Sequence, residues 1–346
     1  MLYCAKLQTF TFKLIDRGTA MLTKKRMALM TVIMSGIYFA IIWVFLPESV
    51  VGPRSQNMLF LISKIGFLGT SAALTTSIAL IFIFKNDFVK SQIATFNRFK
   101  YLLFFLVKRD FISRYRRSIL GVLWSMLNPL LTMLVMTMVF SFIFRMEIEY
   151  FPVYLLSGLL IYNFFNEATT RAMTSIIGSA AVIQKVYVPK YIFPISCVVS
   201  SLVNLFFAFL AFMLVFIIIG APLHWTIILI PIPILYTFLF SLGVGMILSS
   251  LAVFFHDLTY LYGVFTLLLM YLSAIFYPVT ILPEWVQQVL GVNPIYQYIS
   301  YFRSLALYGT VPGFWANMVC IGLALSALCC GIYVSMSKQD KYILYL

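Results

Sequence analysis

This chain contains few charged residues for its length. Acidic and basic side chains make up 10% of its 346 residues, whereas hydrophobic residues make up 63% and the mean hydropathy is +1.02. A soluble protein of this size could not cover its surface with so few charges. The composition therefore excludes an ordinary soluble protein and indicates that the lipid bilayer is the main solvent.

Residues and motifs that support catalysis are also scarce. The chain has ten acidic residues and two histidines, His224 and His256. It lacks a G-x-x-x-x-G-K-[ST] loop, so it does not bind a nucleotide by the P-loop route. HExxH and GxSxG are absent as well. We therefore predict a protein that is not an enzyme and binds no cofactor. A membrane-embedded glycosyl- or acyltransferase is kept as an alternative, and it would need catalytic acids or histidines in a cleft.

Metal, disulfide and nucleic-acid sites are not indicated either. The cysteines have no metal-ligand spacing and no pair outside the membrane. The net charge of +14 is explained first by membrane topology, and no soluble segment is large enough for a nucleic-acid-binding module. The five cysteines are Cys4, Cys197, Cys320, Cys329 and Cys330.

Long apolar runs are what the chain does contain. Backbone groups in lipid are satisfied only by helices or closed barrels, and unbroken runs of about 20 residues favour helices. The sequence predicts an all-α polytopic membrane protein with about eight transmembrane helices. The predicted spans are 27–46, 58–84, 118–144, 152–173, 192–219, 225–253, 259–280 and 313–336.

Basic residues are distributed unevenly between these spans. If both termini lie inside, the inner segments hold 20 of the 24 Lys and Arg, and the outer segments hold Arg54, Arg145 and Arg303. Inner loops of membrane proteins are enriched in this way, so we predict cytoplasmic N- and C-termini. The first span is too long for a cleaved signal peptide, and translation could start at Met1, Met21 or Met27.

The spans and charges predict an organisation in five parts. Residues 281–312 form a long external segment whose apolar stretches are too short to cross, which favours re-entrant or interfacial helices. The parts are a cytoplasmic basic tail at 1–26, an additional transmembrane hairpin at 27–84, a cytoplasmic linker with an interfacial amphipathic helix at 85–117, a six-span core at 118–336, and a cytoplasmic tail at 337–346.

Four ordered blocks stand out within residues 98–340. They are KRDFISRYRRSILGVLWSMLNPLLTMLVMTMVFSFIF at 108–144, FPVYLLSGLLIYNFF at 151–165, VIQKVYVPKYIFPIS at 182–196, and YLSAIFYPVTILPEW with NPIYQYISYFRSLALYG at 271–309. Together they resemble the permease subunits of type 2 ABC exporters of polysaccharides, and the first block is similar to the opening of that family's six-span core. The hairpin at 27–84 lies outside the family's usual plan.

The resemblance implies a function in the bacterial inner membrane. A homodimer of permeases with two separate ABC ATPase subunits, which bind the ATP and Mg, would export an undecaprenyl-diphosphate-linked glycan such as O-antigen, capsule or teichoic acid. A same-fold exporter of drugs or simple lipids is an alternative, and it would have a narrow apolar path without sugar-binding aromatics.

The predicted site has three parts. A lipid diphosphate would meet a gate of arginines at the inner leaflet, because guanidinium groups bind phosphate through paired charged hydrogen bonds. Aromatic rings would line the glycan path, and a cytoplasmic loop would dock on the ATPase. The gate is Arg109, Arg114, Arg116 and Arg117; the channel aromatics are Trp124, Tyr154, Tyr162, Tyr271, Phe276 and Tyr277; the coupling residues are Gln184, Lys185, Val186 and Tyr187.

Overall fold

Helices make up the regular structure of the computed structural model, which describes residues 86–116, 119–140, 148–186, 188–338 and 342. No strand occurs in these ranges. Residues 94–346 form one compact unit. The helices are α1 (Asn86–Tyr115), α2 (Trp124–Met138), α3 (Phe151–Gly178), α4 (Ala180–Ile183), α5 (Ile192–Ile219), α6 (Pro231–Ala252), α7 (Leu258–Tyr271), α8 (Glu284–Val292), α9 (Pro294–Ala306) and α10 (Phe314–Lys338).

Among the described residues, four segments are long and apolar enough to cross a membrane. The prediction of 192–219 has the same bounds as α5, which ends where Gly220 adopts a left-handed conformation (φ 72°). Helix α3 has the length, but the polar residues of its second half exclude it from this set. The four segments are Gly121–Met138, Ile192–Ile219, Trp225–Ala252 and Phe314–Ser337.

The predicted count of eight spans is not established. The predicted spans 27–46 and 58–84 lie outside the residues that the structure describes. The prediction that 259–280 is one span is wrong in its second half, because α7 ends at Tyr271 and the chain unwinds through Ala274, whose φ is 48°. Fourteen helical residues rise only about 21 Å, which is less than the roughly 30 Å of hydrocarbon.

Close helix packing brings the long helices together around α3 and α6. A Cβ added at Gly243 of α6 would lie 2.1 Å from the backbone of Ala327 in α10, so only glycine permits this approach. A Cβ at Gly245 would lie 2.8 Å from the side chain of Ala172 in α3. Helices α3, α5, α6 and α10 therefore form the core against which α2 and α7 pack, and α1 joins it through the apolar cluster around Leu106.

Two short helices occupy the long segment before α10. Helices α8 and α9 fall within the predicted external segment 281–312, and Asn293 caps α9 by accepting a hydrogen bond from the backbone N–H of Ile295 at 3.0 Å. One face of α9 is buried in the bundle, and this face includes Tyr298, Phe302 and Arg303. The presence of helices here agrees with the sequence, and their re-entrant character stays a prediction.

Candidate functional site

A cavity of about 730 Å³ lies between α2, α3, α5 and α7. One end is formed by Arg114 and Tyr115, where α1 ends, and the other by Met270 and Phe276, where α7 has unwound. The remaining lining residues are Trp124, Ser125, Asn128, Pro129, Thr132, Met136, Leu156, Leu159, Leu160, Asn163, Phe164, Asn166, Glu167, Ser201, Asn204, Leu205 and Ala208.

Three helices, α2, α3 and α5, each contribute one face to this cavity. On α2 the lining positions include Ser125, Asn128 and Thr132, and their spacing of three and four residues places them on one side of a helix. The lining positions of α3 show the same spacing, from Leu156 at the Phe276 end to Glu167 at the Arg114 end. The cavity is therefore polar near Arg114 and apolar near Phe276.

Glu167 joins three helices at the polar end. Its Oε1 lies 2.6 Å from Nη2 of Arg114 on α1 and 3.4 Å from Nη1 of Arg171 on its own helix. The amide of Asn204 on α5 donates to the same oxygen at 2.7 Å, and the Tyr115 hydroxyl donates to Oδ1 of Asn204 at 3.0 Å. Tyr115 also hydrogen-bonds Ser125 of α2. The network fixes the end of α1 against the cavity.

Asp110 holds a second ion pair beside the first. Arg171 and the Ser200 hydroxyl both donate to Oδ2 of Asp110. Burial by itself raises the pKa of this carboxyl, but the hydrogen bonds from Arg171 and Ser200 and the charges of Arg171 and Arg114 outweigh burial, so the pKa of Asp110 is lowered from its ordinary value. A smaller cavity of about 270 Å³ adjoins this pair and is lined in part by Arg109 and Cys197.

Arg303 lies behind the unwound segment that forms the other end, is not among the residues that line the cavity, and is 4% exposed. Its guanidinium donates to the backbone carbonyls of Ala274 at 2.9 Å, Ile275 at 3.0 Å and Tyr154 at 3.1 Å, and its Nε lies 3.3 Å from the Ser157 hydroxyl. In the part of the chain that the structure describes, no carboxylate lies within ion-pair distance of it. The dipoles of these carbonyl groups therefore solvate the charge of Arg303.

The residues around Arg303 fit this arrangement. The ring of Tyr154 lies under the guanidinium, with its centroid 3.5 Å from Cζ, and the Tyr154 hydroxyl donates to the carbonyl of Tyr277 at 3.1 Å. A Cβ at Gly158 would lie 2.8 Å from Nη2 of Arg303, so a larger residue would displace the guanidinium. Arg303 and Tyr154 thus hold the unwound segment that contains Phe276.

The predicted gate arginines separate in the structure. Arg114 lines the larger cavity but is paired with Glu167, whereas Arg109 lines the smaller cavity. Arg116 is exposed, and Arg117 lies outside the described residues. Their proposed contact with a diphosphate stays a prediction.

The predicted channel aromatics also separate. Trp124 (47% exposed) and Phe276 line the larger cavity. Tyr162 is buried and donates its hydroxyl to the carbonyl of Thr266 at 2.6 Å, so it joins α3 to α7. Tyr154 lies beneath Arg303. Tyr271 (54% exposed) and Tyr277 are not among the residues that line the cavity.

The predicted coupling loop is an exposed turn held by buried neighbours. Gln184, Lys185 and Val186 are exposed, whereas Ile183 and Val188 on either side are buried in a cluster with α1, α3 and α5. Tyr187 lies outside the described residues. A rigidly anchored, exposed turn is suited to docking on another protein, and its coupling role stays a prediction.

Three residues at the candidate site are not among the predicted site residues. For Asn128 and Asn163 the sequence does carry a signal, because an amide in a long apolar run is an unusual residue that calls for a polar partner or a wet cavity. Arg303 is predicted only as an outer-segment charge, and nothing in the neighbouring sequence indicates its burial. No group of three His, Cys, Asp or Glu side chains that could hold a metal ion is found among the described residues.

Comparison with known proteins places the chain in context. A family model described as ABC-2 type transporter matches residues 101–307, from α1 to α9, which is more than half of the chain. The chain is similar to the O-antigen export system permease proteins of Klebsiella pneumoniae, with 30% identity over 61% of this chain and 82% of the relative, and of Myxococcus xanthus, with 26% over 71% and 95%. It is also similar to the capsule polysaccharide export inner-membrane protein of Neisseria meningitidis, with 26% over 58% and 76%.

Proposed function

Since this chain belongs to the ABC-2 type transporter family, we propose that it is the permease subunit of an ATP-driven exporter of a lipid-linked polysaccharide. The cargo is an undecaprenyl-diphosphate-linked glycan of the O-antigen, capsule or teichoic-acid type, which crosses the inner membrane of a bacterial cell. The names of the relatives, which are O-antigen and capsule exporters, support this substrate class.

The main structural support is the larger cavity. A glycan needs a wet path through apolar helices, because its hydroxyl groups lose hydrogen bonds in lipid. This cavity has amide and hydroxyl groups at one end, the exposed ring of Trp124 beside them, and Phe276 at the other end. Aromatic rings pack against the apolar faces of sugars, so the combination suits a carbohydrate better than a purely apolar drug.

The lipid head group meets the protein next to the polar end of the cavity. Arg109 and Arg116 are exposed on α1 and just beyond it, and Arg114 is close by in its pair with Glu167. Arg117 follows in the sequence. A diphosphate carries several acceptor oxygens with concentrated charge, which matches several guanidinium groups in one short segment.

Two copies of the chain work with two separate ATPase subunits, and both termini of each copy lie in the cytoplasm. The exposed turn at 184–186 docks on the ATPase, and closure of the ATPase subunits moves α3 and α5 as rigid bodies through the buried anchors Ile183 and Val188. ATP and Mg are bound by the partner. This chain itself contributes the path and the coupling surface.

Deletion of the gene in its native host tests the proposal. We expect surface polysaccharide to fall and lipid-linked glycan to accumulate inside the cells, because synthesis continues while export stops. Complementation with the intact gene should restore both quantities. Unchanged surface polysaccharide without internal accumulation would contradict the export function.

A further inference from the structure

The lining of the larger cavity indicates a narrower class of cargo. We propose that this cavity binds an uncharged, hydroxyl-rich segment of glycan and disfavours a polyanionic chain built from uronic acids or polyol phosphates. The inference rests on the proposed function and narrows its substrate. The supporting observations are two amide side chains in the lining, the pairing of its charged residues, and the volume of the cavity.

Two amides that line the cavity point to a neutral ligand. Asn128 of α2 and Asn163 of α3 are both exposed and both line the cavity. Neither has a hydrogen-bond partner within the described ranges. Polar side chains in membrane-spanning helices face a water-filled path or a partner, since they are costly in lipid. An amide both donates and accepts, and a sugar hydroxyl does the same, so the two groups are complementary.

Apart from Arg114 and Glu167, the other polar groups of the lining are neutral. Ser125 follows Trp124 directly in the chain, and the exposed ring of Trp124 offers a surface for the C–H face of a sugar. The volume of about 730 Å³ falls within the range of roughly 300–1,000 Å³ typical of small-molecule sites, so it admits a short stretch of the polymer at a time. These neutral groups are Tyr115, Ser125, Thr132, Asn166, Ser201 and Asn204.

The charges of the lining cancel each other. Arg114 and Glu167 are the charged residues among those that line the cavity, and they are paired at 2.6 Å. Arg109 lines the smaller cavity instead. A phosphate or carboxylate that entered would lose water without gaining an unpaired cation and would approach the Glu167 carboxylate. A neutral sugar would incur neither penalty.

Binding of two matched tetrasaccharides tests this inference. The full chain would be placed in nanodiscs of zwitterionic lipid, and binding of maltotetraose and of tetragalacturonate, which share linkage and length, would be measured by saturation-transfer difference NMR. We expect maltotetraose to bind at least about fivefold more tightly, because the carboxylates of tetragalacturonate would lose water without gaining an unpaired cation and would be repelled by Glu167. Equal or tighter binding of tetragalacturonate, or no binding of either sugar, would overturn the inference.

Variants locate the binding in the cavity. The double substitution Asn128→Leu and Asn163→Leu removes both free amides while keeping the helices apolar, and it should weaken maltotetraose about tenfold. Asn97→Leu, an exposed position on α1 away from the cavity, is the matched control and should change nothing. Undiminished maltotetraose binding in the double variant would overturn the proposal.

The ion pair between Arg114 and Glu167 allows an independent test, in which the preference between the two sugars should shift toward the anionic one. Glu167→Gln leaves Arg114 without its carboxylate, so the cavity gains a net positive charge and tetragalacturonate binding should rise severalfold relative to maltotetraose. A Glu167→Gln variant with the parental preference would contradict the electrostatic part of the proposal. If deletion of the gene blocks export but the anionic sugar is preferred, the inference fails and the export function stands. If deletion leaves export intact, the export function itself fails.

Discussion

Arginines near the two ends of the larger cavity are stabilised in opposite ways. Near α1, Arg114 and Arg171 are partly exposed and paired with Glu167 and Asp110. At the other end Arg303 is buried, and carbonyl oxygens, Ser157 and the ring of Tyr154 are its partners in the described structure. Loss of one partner of a partly exposed ion pair leaves the other in contact with water, whereas a buried charge held by carbonyls cannot leave without leaving those carbonyls unsatisfied.

The hydrogen bonds of Arg303 explain how the segment after α7 can stay unwound while buried. Carbonyls of Ala274 and Ile275 lie outside helical hydrogen bonding and are buried, so they need donors. Arg303 supplies donors to both and in return is solvated by them. Arg303 is therefore a positioning residue for Phe276, whereas Arg114 fixes the end of α1 against the cavity through its pair with Glu167.

Loss of Arg303 should have the largest effect. Arg303→Leu would leave several buried carbonyls without donors and should destabilise the fold by about 3 kcal/mol or more. Thermal unfolding of the purified protein would report it. Arg303→Lys keeps the charge without the planar fork and should be intermediate. A leucine variant with parental stability would show that Arg303 is not a clamp.

Removing one hydroxyl at the same end should have a smaller effect. Tyr154→Phe keeps the ring under Arg303 but removes the donor to the Tyr277 carbonyl, so a loss of about 1 kcal/mol is expected. The same unfolding measurement applies, with Tyr260→Phe, an exposed tyrosine on α7, as the control. Equal effects of both changes would contradict the assigned contact.

At the polar end, Arg114→Gln should change stability by less than about 1 kcal/mol, because its pair with Glu167 is partly exposed and screened. Glu167 keeps its hydrogen bond from Asn204. Export of surface polysaccharide should nevertheless fall, since the pair borders the cavity. If Arg114→Gln destabilised the fold as strongly as Arg303→Leu, the proposed difference between the arginines at the two ends would be contradicted.

The smallest effect concerns pH. The lowered pKa of Asp110 means that its contacts stabilise the fold above its unfolded pKa of about 3.9 and that this contribution is lost as pH falls through the lower folded value. Asp110→Asn should therefore lower the thermal midpoint at neutral pH and lose this difference below pH about 4. If the difference in thermal midpoint between Asp110→Asn and the parent protein stayed constant from neutral pH to below pH about 4, the ionised carboxylate of Asp110 would be ruled out as its cause.

The sequence predicts the long helices better than the site. Helix α5 matches its predicted span because a continuous apolar run ends at Gly220. The break after Tyr271 was missed, because YLSAIFY is equally apolar whether helical or unwound. Burial of Arg303 and the shared cavity of Trp124 and Phe276 depend on contacts between distant helices, and no local pattern encodes them.

Export by cells that carry Asn128→Leu and Asn163→Leu together tests the central claim, that a glycan passes through this cavity, most directly. Surface polysaccharide and internal lipid-linked glycan would be measured beside Asn97→Leu cells with matched amounts of membrane-inserted protein. The account predicts a severalfold fall in surface polysaccharide with internal accumulation in the double variant alone. Parental export in the double variant would contradict it.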